Sequence, residues 1–230
     1  MESVTRIEPR EALSALEDIV IQRRATPHFT SEPVPGEVID TALSVASQAP
    51  SGYNLQPWRF LVLTDAEQRE KLRAAAFGQE KIGEAPLMIV AMAGRSDWQS
   101  RADDIFRTRA ARTGTDWAQV VPVKQGALAF VGKLPPGVWE NRQVMIAFTY
   151  LLLAFEFQGW DTAPMEGFDA AAVRRAFALP DDTEVVALLA VGRAREHDPV
   201  HPGRLPVSEI AYREQFGTPY VSRDSEESAS

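Results

Sequence analysis

Cysteine is absent from the 230 residues, which excludes disulfides, thiolate metal sites and cysteine nucleophiles but does not by itself fix the compartment. Basic charge is scarce relative to acidic: 24 Lys and Arg stand against 32 Asp and Glu, for a net charge of −8. A dedicated nucleic-acid binder normally concentrates a basic excess on one face, so no nucleic-acid partner is expected and a small molecule is the better default. Long apolar runs are missing too. The longest, Val144 to Phe155, is flanked by charge and falls well short of the roughly 18 residues that argue for a membrane span. It reads as a buried core or interface helix, and no membrane association is expected. The N-terminal MESVTRIEPREAL alternates charge and lacks the apolar stretch of a signal peptide, so a cytoplasmic location is expected.

The signatures of several common enzyme classes are also missing. There is no GxGxxG after a strand, no GxxxxGKS or GxxxxGKT, no GxSxG and no HExxH, which removes the usual dinucleotide, nucleoside triphosphate, serine hydrolase and zinc protease patterns. His197 and His201 stand four apart beside Glu196 and Asp198, but Pro199 and Pro202 oppose a regular helix there. A solvated loop is expected, and no metal is assigned.

What is present is a chain that is 45% hydrophobic, enough for a substantial core. No segment looks like a linker, so residues 1–220 are expected to form a single domain, with a disordered, acidic tail at 221–230. Leu13, Leu16, Ile19 and Val20 fall at helical spacing over 10–23 and run into the basic pair Arg23-Arg24. Val38, Ile39, Ala42, Leu43 and Ala46 repeat the pattern until Pro50 disfavours helical geometry at Ala49. Phe60 to Leu63 reads as a short buried strand, and Thr64-Asp65-Ala66-Glu67 has the capping-box pattern of a third helix running to about Phe77. Further strands are expected at 86–93 and 184–191, the long apolar helix at 137–159 and a short helix at 169–178. Helices and strands mix without a regular βαβ repeat, which suits an α+β fold. Residues 95–136 interrupt this order, holding Arg101, Arg107, Arg109 and Arg112 among Trp98, Phe106, Trp117 and Phe130 with little sustained periodicity. That composition suits an excursion over the main body, either a lid or an ordinary surface insertion.

Between the second helix and the first strand stands QAPSGYNLQPWRF, Gln48 to Phe60. A helix-stop turn explains Pro50 and Gly52, but it gives no reason for Asn54, Gln56 and Trp58 in this order. Together with three other segments this loop resembles the FMN-dependent nitroreductase family. The others are Arg23-Arg24-Ala25-Thr26-Pro27-His28-Phe29; Gly78 to Pro86, GQEKIGEAP; and Pro164-Met165-Glu166-Gly167-Phe168-Asp169, followed by the strand at 184–191 and Gly203-Arg204-Leu205-Pro206. The resemblance spans roughly Leu13 to Pro206, without the 95–136 segment. No single piece is decisive, but their order and spacing together are specific.

The resemblance implies a nitroreductase-like α+β fold, a central mixed or antiparallel sheet surrounded by helices, in an intertwined homodimer with shared active sites. It implies FMN as cofactor and NAD(P)H as co-substrate. The chemistry of FMN agrees with the segments, since a phosphate, a polar ribityl chain and a flat ring call for cations, small polar groups and close backbone approach. Arg23 and Arg204 are the best phosphate ligands, with Arg24 a weaker third and Ala25 in the same corner. Ala25 stands where the family has a hydroxyl, Pro27 where it has a basic residue, and Pro202 where relatives often carry another. Either Arg24, His28 or His201 compensates, or FMN is held less tightly.

Pro50, Ser51, Gly52 and Asn54 are implied to contact the flavin of the neighbouring subunit, with Trp58 left to core packing. Lys81 is implied to face the N1/C2 carbonyl end of the ring. Glu166-Gly167, after Pro164, would place a backbone N–H near N5, with Met165 on the ring's face. No side-chain acid or base is required: NAD(P)H reduces the flavin, then an electron-poor small molecule such as a nitroaromatic or quinone takes its place in ping-pong order. Trp98, Phe106 and Trp117 are candidates to cover that substrate. The same motifs admit reductive dehalogenases, flavin-consuming enzymes and heterocycle-oxidising enzymes. A non-catalytic FMN-binding protein, or an interaction protein without flavin, would be of a different class.

Overall fold

Four strands, β1 (Arg59–Leu63), β2 (Leu87–Gly94), β3 (Asp161–Met165) and β4 (Thr183–Gly192), build one antiparallel sheet in the order β1-β2-β4-β3. The computed structural model describes residues 8–196 and 200–221, which fall in two units, Met1–His197 and Asp198–Ser230. The sheet belongs to the first. Its helices are α1 (Pro9–Gln22), α2 (Gly36–Ser47), α3 (Ala66–Ala75), α4 (Glu80–Glu84), α5 (Arg95–Thr113), α6 (Trp117–Gly132), α7 (Val138–Phe157) and α8 (Ala170–Ala176). The second unit holds α9 (Val207–Ile210) and a tilted pair of rings, Tyr212 and Phe216, 4.6 Å apart.

Strand side chains alternate between two faces, and here both faces are covered. Leu87, Ile89 and Ala91 of β2 and Leu189 and Val191 of β4 meet Ile39, Ala42 and Ala46 of α2 and the apolar stretch of α7. Met88 and Val90, with Leu188 and Ala190, meet Leu72 of α3, Ile82 of α4 and Val173 of α8. This double burial is why β2 and β4 read as continuous apolar runs rather than alternating ones. Helix α3 starts one residue later than the capping pattern suggests, because Asp65 rather than Thr64 accepts the Gln68 N–H, at 3.1 Å.

Several elements were outside the sequence reading, β3 and the two helices of 95–136 the largest of them. Strand β3 was not anticipated, since Pro164 sits inside it. It lies at the sheet edge, where a missing N–H removes no ladder bond. Residues 95–136 hold the α5–α6 hairpin, in which Trp98, Ala102, Phe106 and Ala110 of α5 meet Val120, Ala127 and Val131 of α6 in a core shared with Leu55 and with Trp139 of α7. The spacing of these α5 positions is helical, but half of them are alanines and α6 contains Pro122, which hides the pattern. Trp98 and Phe106 are 0% and 1% exposed, so they hold the hairpin together instead of covering a substrate. Trp117 is half-buried, with the Arg107 guanidinium 4.1 Å from its ring centroid.

Among the described residues no helix is long and apolar enough to cross a membrane, and no three His, Asp or Glu side chains gather as a metal site. His197 and Asp198, most of the expected tail and the first seven residues lie outside the described residues.

Candidate functional site

The basic corner begins where α1 ends. Arg23 is its C-cap residue, with its N–H donating to the Ile19 carbonyl at 2.9 Å. Arg24 turns Nη1 back onto the carbonyls of Ile21, Gln22 and Arg23 at 2.7, 2.8 and 2.9 Å. Its guanidinium thus serves the helix end. Among the described residues Arg23 Nη1 is buried with no hydrogen-bond partner, and so is Nε of Arg24.

Three residues on, the buried Thr26 donates its N–H to the Thr162 carbonyl of β3 at 3.0 Å, which laces the corner to the edge strand. Lys81 on α4 donates from Nζ to the Thr26 carbonyl at 3.4 Å. Gln79, just before α4, donates from Nε2 to the carbonyls of Ala76 at 3.1 Å and Gly167 at 2.6 Å. That contact pins the Glu166-Gly167 turn, which leaves β3, onto the junction of α3 and α4. A Cβ on Gly167 would stand 3.2 Å from the same amide nitrogen, so the close approach favours glycine. Three segments distant in sequence therefore meet along the β3 edge. Pro164, Glu166, Gly167 and Ala25 are exposed there, while the Met165 side chain fills the interior.

The Pro50 to Asn54 loop lies elsewhere. It leads into β1, the opposite edge, with two strands between, so the two edges are about 14 Å apart at roughly 4.8 Å per strand. Along the strands it is level with Val185, through Arg59 and Met92, seven residues along β4 from Gly192, the partner of Asp161 beside the basic corner, whereas the Glu166-Gly167 turn leaves β3 at Met165, opposite Leu188, toward the loop's own end of the sheet. Tyr53, Asn54 and Gln56 have φ of 55°, 59° and 46°, left-handed values that non-glycine residues rarely adopt, with Leu55 between them at −73°. Neighbours hold them so. Gly52 N–H donates to Gln143 Oε1 at 2.8 Å, the Ser51 hydroxyl accepts the Gln56 N–H at 3.0 Å, and Leu55 and Trp58 are buried anchors. A Cβ on Gly52 would stand 3.2 Å from Trp139 Nε1, so the ring this glycine approaches within its own chain is an indole. Asn54, like Tyr53, is exposed.

Arg204 and His201 belong to the second unit, where Arg204 donates to the Gly203 carbonyl at 2.6 Å and His201 Nδ1 accepts the Gly203 N–H at 2.9 Å. His28 is engaged by Glu84, with Nδ1 3.1 Å from Oε2.

Sequence reasoning missed three residues. Gln79 is the clamp just described. The sequence pattern carries α3 to about Phe77, yet the helix ends at Ala75 and Phe77 follows it at φ 59° and is 73% exposed, an aromatic held out beside Gly78 and the Gln79 clamp. Its signal is the Phe-Gly pair at a helix end. Glu156 closes the longest apolar run of the chain, which is itself an anomaly. Its Oε1 accepts the Thr162 N–H at 3.1 Å and the Thr162 hydroxyl at 2.5 Å. Burial pushes this carboxyl up to about 7, against the Thr162 hydrogen bond and the Arg23 charge, with Asp161 adding to the rise. The folded chain therefore holds the proton more tightly than the unfolded one, whose carboxyl titrates near 4.5. The resulting stability is full below that value and is lost as pH rises through about 7. The melting temperature of the protein should fall across this window, and Glu156→Gln should flatten the fall; identical profiles would contradict it.

The corner fits a phosphate-bearing ligand on structural grounds. An orphaned donor such as Arg23 Nη1 costs about 1–3 kcal/mol until an acceptor is supplied, and a phosphate oxygen accepts well from guanidinium. Lys81 has donors to spare beyond its one long contact. The Gly167 turn brings exposed backbone to the same edge.

Comparison with known proteins gives the family. The model of the nitroreductase family matches residues 20–193. An NADH dehydrogenase of Thermus thermophilus is 35% identical over 191 residues, covering 83% of this chain and 91% of that protein. Iodotyrosine deiodinase 1 of Rattus norvegicus is 38% identical over 186 residues, 76% of this chain and 60% of that one. A candidate nitroreductase from Exiguobacterium sibiricum, solved in complex with FMN, superposes with a TM-score of 0.75 at 25% identity, over 86% of this chain and 96% of that one.

Proposed function

The chain belongs to the nitroreductase family, and from that premise we propose that it is an FMN-dependent oxidoreductase. It carries reducing equivalents from NAD(P)H to electron-poor small molecules such as nitroaromatics and quinones, in ping-pong order. The observation that supports this best is the meeting of Arg23, Lys81 and the Glu166-Gly167 turn at one sheet edge, with Arg23 still short of an acceptor. FMN, when bound, supplies the hydride chemistry. Arg23 binds the phosphate through its forked donors. Lys81 holds negative charge at a polar end of the ring. Gln79 fixes the Gly167 turn so that backbone, rather than a side chain, approaches the cofactor. Phe77, exposed on its left-handed turn, borders the acceptor's place.

The protein works as a homodimer in this reading. Leu13, Leu16, Val20 and Ile21 of α1 are exposed, as are Ile146, Tyr150 and Phe157 of the neighbouring α7, an apolar surface of the kind that a partner covers. The Ser51 to Asn54 loop, far from its own basic corner, then serves the site of the second copy.

The visible spectrum of the purified protein tests cofactor and donor together. Yellow protein that bleaches on anaerobic addition of NADH or NADPH is expected, whereas protein that stays colourless when mixed with FMN overturns the reading. A second activity, reductive dehalogenation, is favoured by the likeness to the deiodinase. Iodide release from an iodinated phenol under the same reducing conditions would select it.

A further inference from the structure

Glu156 stands directly behind the basic corner, and the proposed reaction makes no use of it. It ends α7, with Oε1 held by the N–H and hydroxyl of Thr162. Thr162 gives its carbonyl to the Thr26 N–H, and Thr26 gives its carbonyl to Lys81 Nζ. A continuous hydrogen-bonded line thus joins Glu156 to the cation of α4. Two charged groups act on the carboxyl: Arg23 attracts its ionised form from the end of α1, and Asp161 repels it from the start of β3. Asp161 itself accepts the Ala194 N–H at 2.8 Å. Beyond β4, Arg193 lies over the Trp160 ring, 4.3 Å from its centroid, and 3.8 Å from Glu32.

The Arg23 charge therefore faces two claims, the internal carboxylate that it acts on through space and any external anion, and one of its buried donors has no acceptor among the described residues. We propose that Glu156 is a positioning residue for this corner, an internal counter-charge that competes with a bound phosphate for Arg23, so that phosphate-bearing ligands such as FMN are held more tightly when Glu156 is protonated. The inference rests on reading the corner as the cofactor's phosphate site.

Ionised, the carboxylate occupies the guanidinium electrostatically and repels an incoming dianion. Neutral, it still accepts both Thr162 hydrogen bonds, so the frame through Thr162 and Thr26 persists while the Arg23 charge is released to the ligand. Binding and protonation are then reciprocal: the carboxyl titrates in the neutral range, and a dianion placed near it takes up protons onto it.

Apoprotein should be titrated with FMN by flavin fluorescence at pH 6, 7 and 8, in the wild type and in Glu156→Gln. The wild type is expected to lose at least threefold in affinity from pH 6 to 8 relative to the variant, a ratio that removes the ligand's own phosphate ionisation. A calorimetric proton inventory on wild type alone, in two buffers of different ionisation enthalpy, guards against a variant that fails to fold. At pH 7.5, where a phosphate with its second pKa of about 6 is almost fully ionised, FMN binding is expected to take up a few tenths of a proton. Parallel pH profiles in the two proteins, or proton release in the wild type, overturn this inference and leave the FMN site standing. Failure of both proteins to bind FMN at any pH overturns both readings.

Discussion

Glu140→Ala lowers the free energy of unfolding by about 3–5 kcal/mol, the usual cost of stranding a buried charge. Glu140 lies in the first turn of α7 and is 1% exposed. It accepts a fork from Arg95, Nε at 2.7 Å and Nη2 at 3.1 Å, and a third bond from Trp98 Nε1 at 3.2 Å. Burial alone would raise its pKa, but the Arg95 hydrogen bonds and the Trp98 N–H hold it below the ordinary carboxylate range. Arg95 opens α5, so this cluster joins the α5–α6 hairpin to α7. Truncation leaves a guanidinium and an indole N–H without their acceptor. Equilibrium unfolding in urea measures the loss, and a value under about 1 kcal/mol would show that water replaces the carboxylate at little cost. Replacing both partners by apolar residues, Arg95→Met with Glu140→Leu, should recover much of the stability, because nothing charged is then stranded.

Arg23→Ala weakens FMN binding by roughly 30- to 150-fold, corresponding to the about 2–3 kcal/mol of a hydrogen bond to a charged group. Arg24→Ala is the matched control. Its Nη1 is already committed to three carbonyls at the end of α1, although its Nε is an unpartnered buried donor, so its loss should loosen that helix end and leave FMN affinity within about threefold. Fluorescence titration of the two variants at one pH separates these outcomes. Equal losses would show that the two arginines act as one diffuse positive patch, and unchanged affinity in Arg23→Ala would remove the phosphate role.

Local signals in the sequence succeed where an element's own residues decide its state. The apolar runs of β2 and β4 and the long stretch of α7 could be read directly, and Trp58 falls in the core as its apolar ring suggests. Pro50 does follow the end of α2 at Ser47. Signals fail where context supplies the reason. Pro164 argues against a strand until its place at the sheet edge is known, and the alanines of α5 reveal a packing face only once α6 lies against them. Glu156 looks like the polar end of a helix until Thr162 and Arg23 are seen beside it.

The sequence by itself determined the membership of the motif segments and the types of group they carry: guanidinium, ammonium, hydroxyl, amide and a glycine turn, each within a short contiguous stretch. Only the tertiary structure decided which of them meet. The basic corner, Lys81 and the Gly167 turn converge because Thr26 and Gln79 bond to β3 and to the turn that follows it. The QAPSGYNLQPWRF loop is carried to the far edge by the strand order β1-β2-β4-β3. That order rests on pairings between strands widely separated in the chain, and the periodicity of a single segment does not encode which strands pair.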